Sequence, residues 1–155
     1  MRRKFMVVPA LGAATLLALG ACGSYTAIDL FEREQVAEDR LPDSIPVPED
    51  QETELDPASA RLAITHDGIE YYLAKDRNSQ LGCIYAVAER DPDQFVGGCG
   101  GLGQRGEIVT ITGTPPVGST GAFTMVTDDS DNQQLINDGW EQIHPNILVR
   151  DRRKH

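Results

Sequence analysis

Cys83 and Cys99 constrain this chain more than any other pair of residues. Cys83-Ile84-Tyr85-Ala86-Val87-Ala88 and Gln94 to Cys99 have strand composition, and Asp91-Pro92-Asp93 between them carries turn residues. A hairpin centred on Asp91 sets Val87 opposite Phe95, Tyr85 opposite Gly97, and Cys83 opposite Cys99. Directly opposed residues at a non-hydrogen-bonded position have α-carbons about 4.5 Å apart, inside the roughly 4.4–6.8 Å that a disulfide accepts. The spacing therefore predicts a structural disulfide. It would close a loop of about 15 residues, worth roughly 3 kcal/mol in the chain-entropy picture. A redox-active pair would want C-x-x-C spacing, which the two do not have.

The remaining strand signals surround that hairpin. Arg61 to His66 and Ile69 to Ala74 flank Asp67-Gly68, a strong short hairpin signal. Glu107 to Thr112 alternates between Gly106 and Gly113, and Ala122 to Thr127 follows. Trp140 to Ile143 and Ile147 to Arg150, broken by Pro145-Asn146, complete the set, with a helical turn at Leu135-Ile136. Short strands with Gly and Pro punctuation predict a mainly β fold, a small antiparallel sandwich or partly open barrel with one disulfide. One sheet packed on a helix is the alternative.

Upstream the chain changes character. Arg2-Arg3-Lys4 precedes an apolar run from Phe5 to Leu19, about fifteen residues, which suits a signal-peptide core and is short of the roughly 20 that span a bilayer. Leu19-Gly20-Ala21-Cys22 resembles the lipobox of bacterial lipoproteins, in which the leader is cut just before a lipid-bearing cysteine. An uncleaved anchor is the alternative, and Arg2-Arg3 also resembles a twin-arginine signal without its usual preceding polar residue. The expected division is a signal peptide over 1–21, then lipidated Cys22, stem and linker over 22–58. A β-rich domain over 59–150 and a charged tail over 151–155 follow. Ile28 to Arg40 reads as a short helix or partly ordered stem. Leu41 to Ala58, with Pro42, Pro46, Pro48, Pro57 and no Lys or Arg, reads as a semi-rigid acidic spacer.

Arg2, Arg3 and Lys4 leave with the leader, so 14 cations become 11 against 24 anions, a net charge of −13. Such a field repels phosphates and argues against nucleic acid as a partner. With Cys22 committed to lipid, two cysteines remain for one disulfide, the number expected of an exported chain.

No catalytic or metal set assembles from the remaining motifs. Gly101-Leu102-Gly103-Gln104-Arg105-Gly106 matches G-x-G-x-x-G, but a strand rather than a helix follows it, so it reads as a bend. Asp128, Asp129 and Asp131 cluster, yet counting from Asp129 puts Gln134 and Trp140 where a calcium loop wants Gly and Glu. His66 and His144 lack further zinc ligands, and no G-x-S-x-G occurs. Tyr71, Tyr72, Tyr85 and Trp140 read as core or cross-strand packing, with a carbohydrate- or peptide-binding face as the alternative. No cofactor is expected.

From Cys22 onward the chain resembles a loose family of small, uncharacterised actinobacterial lipoproteins and membrane-anchored proteins. The resembling residues are Phe31-Glu32-Arg33-Glu34-Gln35, Asp39-Arg40-Leu41-Pro42, Tyr71-Tyr72-Leu73-Ala74, the Gly82-Cys83 and Gly98-Cys99 pairs, and Trp140 with Pro145-Asn146-Ile147-Leu148-Val149. These motifs are structural and carry no activity. The expectation is a non-enzymatic protein held on the outer face of the plasma membrane through Cys22, binding an envelope protein or glycan. The alternative is a surface hydrolase or metal-dependent enzyme using the Asp128–Asp131 loop with His144.

Overall fold

Asp67 and Gly68 form a tight turn with φ of 50° and 75°, the left-handed pair that a type I′ hairpin requires. A computed structural model describes residues 27–46, 55–113 and 120–151. The expected leader over 1–21 and Cys22 lie outside the described residues, as do 152–155 of the tail. Within them run β1 (Leu55–His66), β2 (Ile69–Asp76), β3 (Leu81–Ala88), β4 (Asp91–Gly101), β5 (Glu107–Thr112), β6 (Thr120–Val126), β7 (Glu141–His144) and β8 (Ile147–Asp151). A short helix, α1 (Gln133–Asn137), precedes β7.

The strands form two open, four-stranded antiparallel sheets, ordered β1-β2-β3-β4 and β5-β6-β8-β7. The fold is therefore mainly β and sandwich-like. In β2, Ile69, Tyr71 and Leu73 join Phe123, Met125, Ile147 and Val149 of the second sheet in the main core. Tyr71 meets Phe123 edge to face at 5.7 Å between centroids, which ties the two layers together. The opposite faces are covered as well. Tyr72 and Val87 pack with Ile45, while Ala122, Val126 and Leu148 pack with Trp140 and Leu135.

The third and fourth strands pair as the sequence predicts, with Val87 opposite Phe95, Tyr85 opposite Gly97 and Cys83 opposite Cys99. The turn itself differs. It falls at Glu89-Arg90, Ala88 pairs with Asp91, and the ladder then shifts by three residues on β4. Pro92 has no N–H to offer a ladder, so the chain bulges there instead of turning there.

The N-terminal segment takes a definite form. The short helix expected over Ile28 to Arg40 is a pair of 3₁₀ turns, Asp29–Glu32 and Ala37–Asp39, with extended backbone at Arg33 and Val36. Ile28, fully buried, and Phe31 enter the main core. The stretch 41–58 is not a free spacer over its whole length. Leu41 and Ile45 pack on the first sheet, and β1 begins at Leu55, inside the expected linker. Pro57 is tolerated because β1 is an edge strand. The folded unit thus takes in most of the expected stem.

The sheets approach closely where β4 passes β5. A Cβ at Gly100 would strike the carbonyl oxygen of Ile108, and one at Gly98 would meet the Ile111 side chain at 2.6 Å. At Gly101 nothing lies within 4 Å. Gly100→Ala is therefore expected to destabilise the domain by about 3 kcal/mol, the upper end for overpacking, because backbone must yield. Gly101→Ala should be close to neutral. Urea melts of the two variants check the contrast, and equal midpoints would refute it.

Candidate functional site

Because β1 to β4 form a meander, its turns divide into two rims. The turn after β2, Asp76 to Gln80, lies with the Gly101–Gly106 bend at one end; the Asp67-Gly68 and Glu89-Arg90 turns lie at the other. The chain enters at the first end. Asp128 N–H donates to the Ala27 carbonyl at 3.0 Å, and Asp29 N–H donates back to the Asp128 carboxylate. Ala27 and Ile28, the first described residues, are both buried.

The disulfide joins Cys83 of β3 to Cys99 of β4 with α-carbons 4.0 Å apart. Cys83 is buried, and Cys99, on the edge strand β4, is exposed.

The acidic turn after β6 does not converge on a common point. Asp128 accepts from Asn146 Nδ2 and Asp29 N–H; Asp129 pairs with Arg105 at 2.9 Å and accepts from Thr127; Asp131 accepts from Gln133 N–H. Among the described residues, no group of three or more His, Cys, Asp or Glu is placed to hold a metal ion. The Gly-rich bend enters β5 directly, with Gly106 N–H donating to Thr127 Oγ1 and Thr127 N–H donating to the Gly106 carbonyl. The two loops are thus laced to each other.

His144, on β7, lies near this turn. Its Nδ1 accepts the Asn146 N–H at 3.2 Å, a bond made with the neutral ring. Burial pushes its pKa below the ordinary histidine value, only partly opposed by the Asp128 charge. Folding therefore favours the neutral ring, and that stabilisation is present above about pH 6.5 and lost as pH falls through the folded value. His144→Gln is expected to flatten the fall in thermal midpoint between about pH 7 and 5. An unchanged slope would show that the ring does not titrate this way.

The aromatic residues do not share a face. Tyr71 lies in the core, Tyr72 and Tyr85 are opposed across β2 and β3 on the outer side, and Trp140 sits under Arg150 on the other sheet at 5.0 Å. His66 lies beside Asp67 at 3.5 Å, at the rim remote from His144's acidic turn.

One feature escaped the sequence reading. Asp39 is almost fully buried and accepts from both terminal nitrogens of Arg33 (2.9 and 2.6 Å), from Val36 N–H (2.8 Å) and from Leu62 N–H (2.9 Å). Arg61, also buried, donates to the carbonyls of Arg33, Ala58 and Ala60. Gln35 Nε2 donates to the carbonyls of Pro57 and Ala60. Burial alone would raise the Asp39 carboxyl, but the Arg33 guanidinium and the two N–H groups outweigh it and hold it below the usual carboxylate range. Phe31, Arg33, Gln35 and Asp39 thus clasp the N-terminal segment to β1.

Clefts open on the surface of the described residues, among them one of about 370 Å³ between Arg105, Glu107, Asp129 and Leu135. A groove of about 600 Å³ runs between Gln35, Leu41, Pro42 and Pro57. A cavity of about 380 Å³ lies at the entry rim among Phe31, Lys75, Ser79, Gln80 and Leu102. One of about 430 Å³ lies at the remote rim between Asp67, Gly68, Glu89 and Arg90. Among the described residues, no helix is long and apolar enough to cross a membrane. No protein-family model matches this chain, and neither a curated protein nor a solved structure matches it.

Proposed function

We propose that this chain is a lipid-anchored module on the outer face of the plasma membrane, held through Cys22, that binds an envelope neighbour without catalysing a reaction. The observation that carries the reading is the Cys83–Cys99 disulfide with one half exposed. Thiol pools of a reducing compartment would attack an exposed edge-strand disulfide, so a fold built around one suits an oxidising space. The apolar run ending at Leu19-Gly20-Ala21-Cys22 supplies a route to that space and a point of attachment. Two acyl chains on Cys22 would hold stably where one chain is marginal, since each buried methylene contributes about 0.8 kcal/mol. The carboxylates of the acidic turn are each committed to structural partners, which favours binding over catalysis.

Crosslinking in living cells tests the reading. The wild-type chain should yield a reproducible envelope protein or glycan adduct, and Cys22→Ala should lose the adduct together with membrane association. A folded wild-type domain that captured no partner would contradict it.

A further inference from the structure

We propose that residues 27–32 form a pH-operated strap across the entry-rim cavity, released when His144 takes up a proton. Lipid attachment at Cys22 plays no part in it. Asp128 holds the strap at two points: its N–H donates to the Ala27 carbonyl at 3.0 Å, and its carboxylate accepts the Asp29 N–H. The same carboxylate accepts from Asn146 Nδ2. Asn146 is buried, and its backbone N–H is the donor to His144 Nδ1. One chain of hydrogen bonds therefore runs from His144 through Asn146 and Asp128 to the strap. Ala27, Ile28 and Phe31 of the strap line the cavity of about 380 Å³ together with Lys75 and Leu102, so freeing them opens one wall of it.

A proton on His144 Nδ1 removes the acceptor of the Asn146 N–H and leaves two N–H groups facing each other. It also turns the ring into a cation. Besides Glu141 on its own strand, the elements packed against β7 carry Arg150 and Asp151 on β8 and Asp56, Arg61 and His66 on β1. Asp29, Asp129 and Asp131 lie on the segments around Asp128. Of these charges, Asp128 is the one that acts on the ring. The imidazolium then competes with Asn146 and Asp29 for one carboxylate, and it brings a full charge to that contest. Release stops at Arg33, where the backbone is extended. The Asp39 carboxyl is held below the usual range, so its ion pair with Arg33 persists at pH values that protonate His144.

Nuclear magnetic resonance titration of the full chain in detergent micelles, from about pH 7.5 to about 4.5, tests this. The His144 ring signals give a midpoint, and the Asp29 and Asn146 amide signals should move with that same midpoint in the wild type. His144→Asn keeps an acceptor oxygen near the Nδ1 position and takes up no proton, so its Asp29 amide should stay still through that range. At about pH 5 the amides of residues 28–32 should exchange on the order of tenfold faster in the wild type than in His144→Asn, and equally at about pH 7.5. Asp128→Asn keeps an acceptor without the charge; there His144 should still titrate while Asp29 no longer follows. Thermal melts at the starting pH first establish that the variants fold, and either one alone decides the matter. An Asp29 amide whose midpoint lies in the ordinary carboxylate range, or that moves alike in the wild type and His144→Asn, would overturn the strap. So would one that still follows His144 in Asp128→Asn.

Discussion

Asp39→Ala is expected to destabilise the domain by about 3 kcal/mol, the low end for breaking a buried ion pair because Arg33 keeps some contact with water. Removing the carboxylate leaves the Arg33 guanidinium unpaired and strands the N–H groups of Val36 and Leu62. The first turns of the chain would detach from β1, so proteolysis near Gln35 should accelerate before the sheets unfold. Asp39→Asn keeps an acceptor without the charge and should lose about half as much. The two also differ from wild type in acid. Because the folded carboxyl lies below its ordinary value, its stabilisation is present above about pH 4 and is lost as pH falls through the folded value. Asp39→Asn should lack that part of the acid dependence. Urea melts from pH 7 to about 3 read both effects, and a variant as stable as wild type would contradict the clasp.

The double replacement Cys83→Ser, Cys99→Ser is expected to cost roughly 3 kcal/mol, because an unfolded chain freed of a loop of about 15 residues gains that much conformational freedom. For a domain of ordinary stability, 5–15 kcal/mol, this is a large share. It corresponds to a fall in midpoint of roughly 10–20 °C. Reducing the wild-type protein should reproduce it without denaturant, since Cys99 is exposed to the reductant. A loss under about 1 kcal/mol would mean that the β3–β4 pairing constrains the unfolded chain little.

The β body was legible in the sequence because its signals are local. Asp67-Gly68 demands left-handed backbone, and period-two alternation from Glu107 to Thr112 reproduces β5 to the residue. The Cys83–Cys99 pairing followed from the centre of one hairpin. What failed depends on distant partners. Ile28 and Phe31 sit among charged residues, and only the gap between two sheets shows why they are apolar. Leu41 and Ile45 were masked by prolines and acids, though their isolation in a polar stretch was a usable signal. Asp39 and Arg61 look like surface charges until β1 is laid beside the N-terminal turns. The β5-β6-β8-β7 order, in which β8 inserts beside β6, is likewise non-local. As for the site, each Asp of the acidic turn could be named in advance, but their divergence onto separate partners could not.

The most direct test of lipid anchoring is mass spectrometry of the amino terminus of protein extracted from its native membrane with detergent. A mature chain beginning at Cys22, with diacylglycerol on its sulfur, is the expected species. A chain that begins at Met1 with a free thiol at residue 22 would contradict it.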